Sequence, residues 1–170
     1  LDAHQMPFAD ESVTNIVMVD VLHHLARPLE FLAECSRVLK SGGKILMVEP
    51  YPSPFSLLIY RLFHEEPFLM DADYFHGPST EQKSPWDSNQ AIPFILFFKN
   101  HIRTQSFLNN RLVVRRRRRM SFILYPASGG FGKRSLVPGW LIPFFQGLER
   151  FLNPLSRLLA FRCYVVLQKA

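Results

Sequence analysis

The stretch RVLKSGGKILMVEP, residues 37–50, decides the fold. A helical pattern runs into Gly42-Gly43 and passes directly into an apolar run that ends on Glu49 and Pro50. The two glycines predict a left-handed stop for the helix. The apolar run after them predicts a buried strand.

The residues before this stretch complete a strand–helix–strand unit. VTNIVMVD (13–20) is a β-branched apolar run and predicts a buried strand. RPLEFLAECSRVLK (27–40) has apolar residues at helical spacing, with Pro28 suited to the first turn. Because the connections are short, we expect the two strands to be parallel, with a right-handed crossover. An antiparallel pair would contradict this interpretation.

The composition restricts the classes of protein to which the chain can belong. The chain has 170 residues, 48% hydrophobic and 14% aromatic, so it is globular rather than disordered. The net charge of +6 favours anionic partners, such as nucleic acid, acidic lipid or phosphorylated substrates. Cys35 and Cys163 are isolated, which favours a reducing compartment. No apolar run is long enough to span a bilayer, so we expect a soluble or surface-bound protein rather than a spanning one. Together with the isolated cysteines, this favours a cytoplasmic protein, at most peripheral at the inner face of the membrane.

Three zones follow one another along the chain, within what we expect to be one partial domain (1–170). Residues 1–50 form the core α/β unit. Residues 51–110 form an insert with helical patterns at 53–63 and 90–110, and an insert of this size is expected to cover a site. Residues 111–170 contain an extended stretch (111–126), two amphipathic helices broken at Asn153-Pro154, and a final strand (162–169).

The first fifty residues resemble the central part of class I S-adenosylmethionine-dependent methyltransferases. The group that they resemble most includes the quinone methyltransferases, whose pattern is LPF-D-SFD, VLHHL and RVLKPGG. Here it reads MPFAD (6–10), VLHHL (21–25) and RVLKSGG (37–43). The resemblance covers about the first third of the chain.

This resemblance implies an α/β fold, the C-terminal part of a Rossmann-like seven-stranded sheet with helices on both faces. The sheet would be mostly parallel with one antiparallel edge strand. Residues 13–20 and 44–50 would be its fourth and fifth strands, and SFILY (121–125) and CYVVLQ (163–168) would be its last pair. Since the chain begins at Leu1 and carries no glycine-rich cofactor loop, we expect a fragment that is inactive alone. Neither SGGK (41–44) nor SGGFGK (128–133) replaces that loop.

The cofactor implied by the resemblance is S-adenosylmethionine, bound at the carboxyl ends of the strands. Asp2 and Ala3 would lie beside the adenine. Asp20 and Val21 would line the methionine moiety, whose ammonium and sulfonium charges favour anionic oxygens. His23 would border the reactive end of the cofactor.

Methyl transfer requires that the acceptor is held close to the methyl group, that water is excluded, and sometimes that a proton is removed. His23 and Glu49 are the candidate catalytic residues. The alternative for His23 is packing under the helix. For Glu49, the alternative to orienting substrate or cofactor at the mouth of the site is an ion pair at its rim.

The segment HEEPFLMDADYFHG (64–77) gathers histidines and carboxylates, but their spacing matches no familiar ligand pattern. We therefore predict a solvated loop and no metal. A more specific hypothesis is a lid whose Tyr74, Phe75 and Trp86 contact the substrate.

The run Arg115–Arg119 has three interpretations. It could be a solvated sheet edge that resists aggregation. A nucleic-acid site is disfavoured because interleaved aromatic residues and a binding motif are missing. Contact with anionic lipid or lipid phosphate is the functional interpretation we favour.

The segment after this run, GWLIPFFQGLERFLNPLSRLLAFR (139–162), has the composition of an interfacial helix pair. Packing of that pair over the sheet edge is the simpler interpretation, and we favour it. The predicted function is methyl transfer to a small, lipophilic or lipid-linked acceptor. The alternative function is a non-catalytic anion- or membrane-binding module, at the inner face of the membrane. The sequence predicts no oligomeric state.

Overall fold

Four strands form one mixed sheet in the part of the chain that the structure, a computed structural model, describes: residues 2–63, 66–76, 88–129 and 134–170. The strands are β1 (Val13–Val19), β2 (Leu39–Pro50), β3 (Leu112–Met120) and β4 (Arg162–Lys169), in the spatial order β1-β2-β4-β3. β1 and β2 are parallel, and β4 is antiparallel to both β2 and β3.

The α-helices are α1 (Pro28–Val38), α2 (Pro54–Phe63), α3 (Ile92–Phe94), α4 (His101–Phe107), α5 (Leu124–Ala127), α6 (Ile142–Phe151) and α7 (Ser156–Leu159). A π-helical turn, Ile95–Lys99, joins α3 to α4. Short 3-10 turns occupy Leu22–His24, Gly139–Leu141 and Asn153–Leu155.

The predicted parallel unit is confirmed. The register pairs Asn15 with Lys44 and Val19 with Val48, and α1 provides the connection between the strands. This agreement arises because both strands are apolar runs that require burial and because the single helix between them is long enough for a crossover.

The predicted helix stop at the glycines is wrong in position. α1 ends at Val38, and the next residue, Leu39, is already extended. Gly42 does adopt a left-handed conformation (φ 74°), but it lies inside β2, where the register with β1 shifts. Gly43 lies against the neighbouring strand, since a Cβ there would be 2.9 Å from the carbonyl oxygen of Thr14. The glycines therefore shape a bulge in β2 rather than a helix cap.

The predicted last strand pair also needs correction. The strand paired with β4 is Leu112–Met120, which contains the arginine run, whereas SFILY (121–125) leads into α5. The antiparallel strand β4 is not at the edge, since it lies between β2 and β3. The final strand itself is confirmed at Arg162–Lys169, as are a helix within 53–63 and the helix pair broken at Asn153-Pro154.

The two faces of the sheet differ in burial. The inner face carries Met18, Met47 and Val165, which pack with α1 and with residues 92–97 in the core. The outer face of β1 carries Val17 and Val19, which are 72% and 58% exposed. The core therefore lies on the side of the sheet that α1 covers.

Both cysteines belong to this core, and neither forms a disulfide. Burial raises the pKa of the Cys35 thiol to about 12 and raises the pKa of Cys163 as well. Because the thiolate is the reactive form, we expect native protein to react with an aryl disulfide reagent at pH 8 about a hundredfold or more slowly than protein in denaturant. Fast labelling of one thiol per native chain would contradict this burial.

Among the helices of the described residues, none combines the length and the hydrophobicity that are needed to cross a membrane.

Candidate functional site at the carboxyl edge of the sheet

Asp20 marks the point where β1 ends. It adopts a left-handed conformation (φ 54°), and its N–H donates to the carbonyl of Val48 at 3.0 Å. Its carboxylate Oδ1 accepts a hydrogen bond from the guanidinium of Arg162, at the start of β4. Burial alone would lower the pKa of Arg162, but the Asp20 carboxylate raises it. This pair therefore joins β1 to β4 across the end of β2.

Glu49 lies completely inside the protein, at the end of β2. Its Oε1 accepts the backbone N–H groups of Val21 and Leu22 at 3.0 and 2.8 Å, and its Oε2 lies 2.7 Å from Nδ1 of His23. The predicted position at the mouth or rim of the site is therefore wrong. Glu49 instead fixes the 3-10 turn that follows β1 by satisfying backbone donors that would otherwise have no partner.

His23 lies between two carboxylates. With Glu49 accepting from Nδ1, the proton of a neutral imidazole resides on Nδ1, and Nε2 carries the lone pair. Nε2 lies 3.7 Å from Oε2 of Glu66, and the ring of His24 is 4.1 Å from that of His23 between centroids. His23 is buried, so its Nε2 is directed at the insert rather than at solvent. Its role as a general base stays a prediction.

The insert closes over this histidine through Asn89, a residue that the sequence did not single out. The Asn89 N–H donates to the carbonyl of His23 at 2.9 Å. Its side chain accepts from the Leu69 N–H and donates to the Leu69 carbonyl, at 2.9 and 3.1 Å. Asn89 is completely buried. No motif signals such a residue, because its importance arises only from the chain segments that meet there.

Glu66 supplies the second contact between insert and site. Burial raises its pKa, but the hydrogen bond from the Gln90 side chain (2.9 Å) lowers it, and the net shift is downward. Glu66 is therefore an ionised carboxylate at neutral pH, beside Nε2 of His23.

The predicted lid residues take different positions. The hydroxyl of Tyr74 accepts a hydrogen bond from Asn89 Nδ2 at 2.8 Å. Tyr74 therefore belongs to the part of the insert that covers His23. Phe75 instead packs into the core, with the Arg103 guanidinium 4.1 Å above its ring, and this position does not support a contact with substrate. Trp86, like His64 and Glu65, lies outside the described residues.

The predicted adenine-side residues lie in the loop before β1. The Asp2 carboxylate accepts the N–H of His4 at 2.9 Å, and this hydrogen bond is the main reason that its pKa is lowered. Ala3 is half-buried against the core. Their contact with a nucleoside stays a prediction.

Arg37, from the stretch that opened the sequence analysis, holds this loop in place. Its guanidinium donates to the carbonyls of Met6 and Phe8 at 3.2 and 2.9 Å and pairs with Asp10 and Glu34. The recognised motif therefore joins α1 to the residues of MPFAD. Sequence spacing alone could not indicate that these two motifs touch.

Potential metal ligands come together twice among the described residues, as His23, His24 and Glu66, and as Asp20, His23 and Glu49. Internal hydrogen bonds and the Arg162 ion pair already account for Asp20, Glu49 and Nδ1 of His23. Of the described part of the segment that raised the question of a metal, residues 66–76, only Glu66 takes part.

The arginine run occupies β3, an edge strand, and a register shift at Arg115 divides it. On one face, Arg117 donates to the Phe97 carbonyl at 2.8 Å and Arg119 to the Tyr51 hydroxyl at 2.7 Å. On the other face, Arg116 and Arg118 are exposed. The edge position agrees with the first interpretation of the run, while lipid or nucleic-acid contact stays untested.

The sequence similarity between this chain and known proteins lies mainly in its N-terminal third. Residues 1–47 match the family model described as methyltransferase domain. A demethylmenaquinone methyltransferase of Tropheryma whipplei is 37% identical over 59 residues, 34% of this chain and 25% of the relative. An uncharacterized 37.1 kDa protein in transposon TN4556 of Streptomyces fradiae is 43% identical over 49 residues, 29% of this chain and 14% of the relative. The chain thus spans a quarter or less of these curated relatives.

Two solved structures have similar backbones over the whole chain. One is geranyl diphosphate C-methyltransferase from Streptomyces coelicolor (17% identity, TM-score 0.47), covering 100% of this chain and 52% of that one. The other is a SAM-dependent methyltransferase from Archaeoglobus fulgidus (14% identity, TM-score 0.46), covering 100% and 66%. Because these TM-scores are low, the fold assignment depends on the sheet order and on the match of residues 1–47.

Proposed function

We propose that the full-length protein transfers a methyl group from S-adenosylmethionine to a small acceptor, from the premise that residues 1–47 match the model of a methyltransferase domain. One observation carries the proposal. The parallel pair β1–β2 brings Asp20, His23 and Glu49 together at one carboxyl edge, where open α/β sheets bind their ligands.

Asp20 is the residue that we assign to the methionine moiety. Arg162 takes its Oδ1, so Oδ2 is the atom available to an ammonium group. Asp20 is partly exposed, and Val21 beside it exposes 36% of its surface. Since the N–H of Val21 is bound by Glu49 and its carbonyl by His24, the side chain of Val21 is what can line the cofactor.

His23 is the residue that we assign to proton removal, if the acceptor requires it. Its Nε2 carries the lone pair, and the Glu49 carboxylate holds the ring in that tautomer. Glu49 does not reach the surface and is therefore a positioning residue. For Nε2 to meet a substrate, the cover of Glu66 and Asn89 must move aside.

The acceptor that we propose is small and lipophilic. The supporting observation is α2, which begins four residues after β2 ends and leaves Leu58 and Leu62 exposed by 56% and 66%. An apolar helix surface so close to the site favours an acceptor with an apolar part.

Asp20→Asn is expected to weaken S-adenosylmethionine binding to the full-length protein by about tenfold, because an ion pair with the ammonium becomes a neutral hydrogen bond. Isothermal titration measures the affinity. Asp71→Asn, which removes an exposed carboxylate 3.6 Å from Lys99, is the control and should bind normally. If the full-length wild type does not bind the cofactor, the proposed function is wrong; if both variants bind alike, the role of Asp20 is wrong.

A further inference from the structure

Helix α6 and the turn before it carry an apolar stripe that faces solvent. Trp140, Phe144 and Phe151 are 78%, 65% and 80% exposed, at spacings of four and seven residues that place them on one side of the helix. A surface helix of a globular protein ordinarily presents polar residues there. This outward stripe is therefore a candidate contact surface for a partner that accommodates aromatic side chains.

A neighbouring stripe, about a quarter of a turn around the helix, explains how α6 is attached. Leu141, Phe145, Leu148 and Leu152 are half-buried, and Leu152 packs against the core. The interpretation that the helix pair covers the sheet edge therefore accounts for the inward stripe only. The three outward aromatic residues stay mostly exposed despite that packing, although the ring of Phe144 meets the ring of Phe145 edge-on at 5.6 Å between centroids.

The apolar surface continues into neighbouring helices. Leu155, in the turn before α7, and Leu158, in α7, are about half exposed, and α7 packs on α2. α2 exposes Leu58 and Leu62. Helices from two separate parts of the chain thus contribute exposed apolar residues beside one another, which is more than the scattered apolar residues of an ordinary protein surface.

This surface is cationic. Residues 54–62 and 134–160 contain four arginines, and none of them forms an ion pair within the described chain: Arg61, Arg134, Arg150 and Arg157. The one carboxylate in these ranges, Glu149, accepts the N–H groups of Phe122, Ile123 and Leu124 at 2.8 to 3.0 Å. It is therefore committed to the start of α5 and does not neutralise the arginines.

A groove of about 540 Å³ lies between α6 and β3. Arg118 and Arg150 line it, together with Gln146, Asn153, Tyr164 and Glu149, whose Oε1 is held by three backbone N–H groups. Neither arginine has an ion-pair partner among the described residues. Two guanidinium groups beside hydrogen-bonding side chains suit the oxygens of a phosphate.

We propose that the interfacial surface, defined as Trp140, Phe144 and Phe151 with Leu155, Leu158, α2 and the Arg118–Arg150 groove, docks on an anionic phospholipid bilayer. The aromatic stripe enters the headgroup region, and the arginines contact lipid phosphates, as in helices that lie in the plane of a membrane. A second copy of the chain fits this surface poorly. A twofold contact would set the same arginines against each other, and the one carboxylate of these ranges, Glu149, already accepts three backbone N–H groups.

The test is sedimentation of the full-length protein with vesicles. We expect binding to vesicles of phosphatidylcholine with 30% phosphatidylglycerol at low salt, much weaker binding at 0.5 M salt, and little binding to pure phosphatidylcholine. Trp140→Ser/Phe144→Ser/Phe151→Ser should lower the partition coefficient more than tenfold. Arg118→Gln/Arg150→Gln should lower it by about fivefold for each arginine.

Matched control variants distinguish the loss of this surface from a general loss of exposed apolar or charged side chains. Leu69→Ser/Ile102→Ser removes apolar side chains that are 56% and 71% exposed elsewhere, and Lys40→Gln/Arg111→Gln removes two other exposed charges. Both should bind vesicles like the wild type.

Three results would overturn the proposal: no binding of the wild type at low salt, equal losses in the control variants, or a lipid-free dimer that the aromatic triple variant abolishes. Titration of the same samples with S-adenosylmethionine tests the proposed methyl transfer independently. Vesicle binding and cofactor binding can therefore fail separately.

Discussion

Glu49→Ala is expected to lower the free energy of unfolding by about 3–5 kcal/mol, the cost of removing one partner from a buried charged network. The substitution leaves the N–H groups of Val21 and Leu22 and the Nδ1 of His23 without their acceptor in a buried site. Urea denaturation of the wild type and the variant measures the difference.

Two further variants make this result specific. Glu30→Ala removes a half-exposed carboxylate paired with Arg27 and should cost less than about 1 kcal/mol. Glu49→Gln keeps an acceptor for the two amides but donates toward His23, so it should cost less than alanine and transfer the imidazole proton to Nε2. Nitrogen NMR shifts of His23 report that tautomer. A cost for Glu49→Ala similar to that for Glu30→Ala would contradict the supporting role of Glu49.

Gly43→Ala is expected to destabilise the protein by about 2–3 kcal/mol. Its Cβ would lie 2.8 Å from the Lys40 carbonyl oxygen and 2.9 Å from that of Thr14. The Lys40 oxygen belongs to β2 and the Thr14 oxygen belongs to β1. Both are backbone atoms, so they can move away only if the strands separate. Thermal or urea unfolding measures the loss.

The other glycines supply the comparison. Gly42→Ala places a side chain at φ 74°, in ordinary contact with the Gln168 side-chain nitrogen at 3.9 Å, and should cost about 1–2 kcal/mol through backbone strain. Gly147→Ala, in α6 with no atom of the described residues within 4 Å of its Cβ apart from its chain neighbours and helix backbone, should stabilise the protein by up to about 1 kcal/mol. Equal effects of alanine at positions 43 and 147 would show that the close approach of β1 to β2 does not determine the loss of stability.

The candidate site was only partly predictable. The sequence placed Asp20 and His23 after one strand and Glu49 at the end of the next, and parallel pairing brings such residues together. The burial of Glu49 could not be predicted, because it depends on the turn after β1 folding back over the end of β2. Arg162 and Asn89 were missed for the same reason, since their partners are distant in sequence.

The sequence by itself determined the local elements: the apolar runs of β1 and β4, the helical spacing of α1, and the parallel direction of β1 and β2. Periodicity and short connections decide these features within a few residues. Tertiary structure alone decided that β4 enters between β2 and β3, that the arginine run is divided by a register shift, and that α6 buries only one of its two apolar stripes. These features depend on which distant segments pack on the same surface. A local sequence pattern does not show which segments those are.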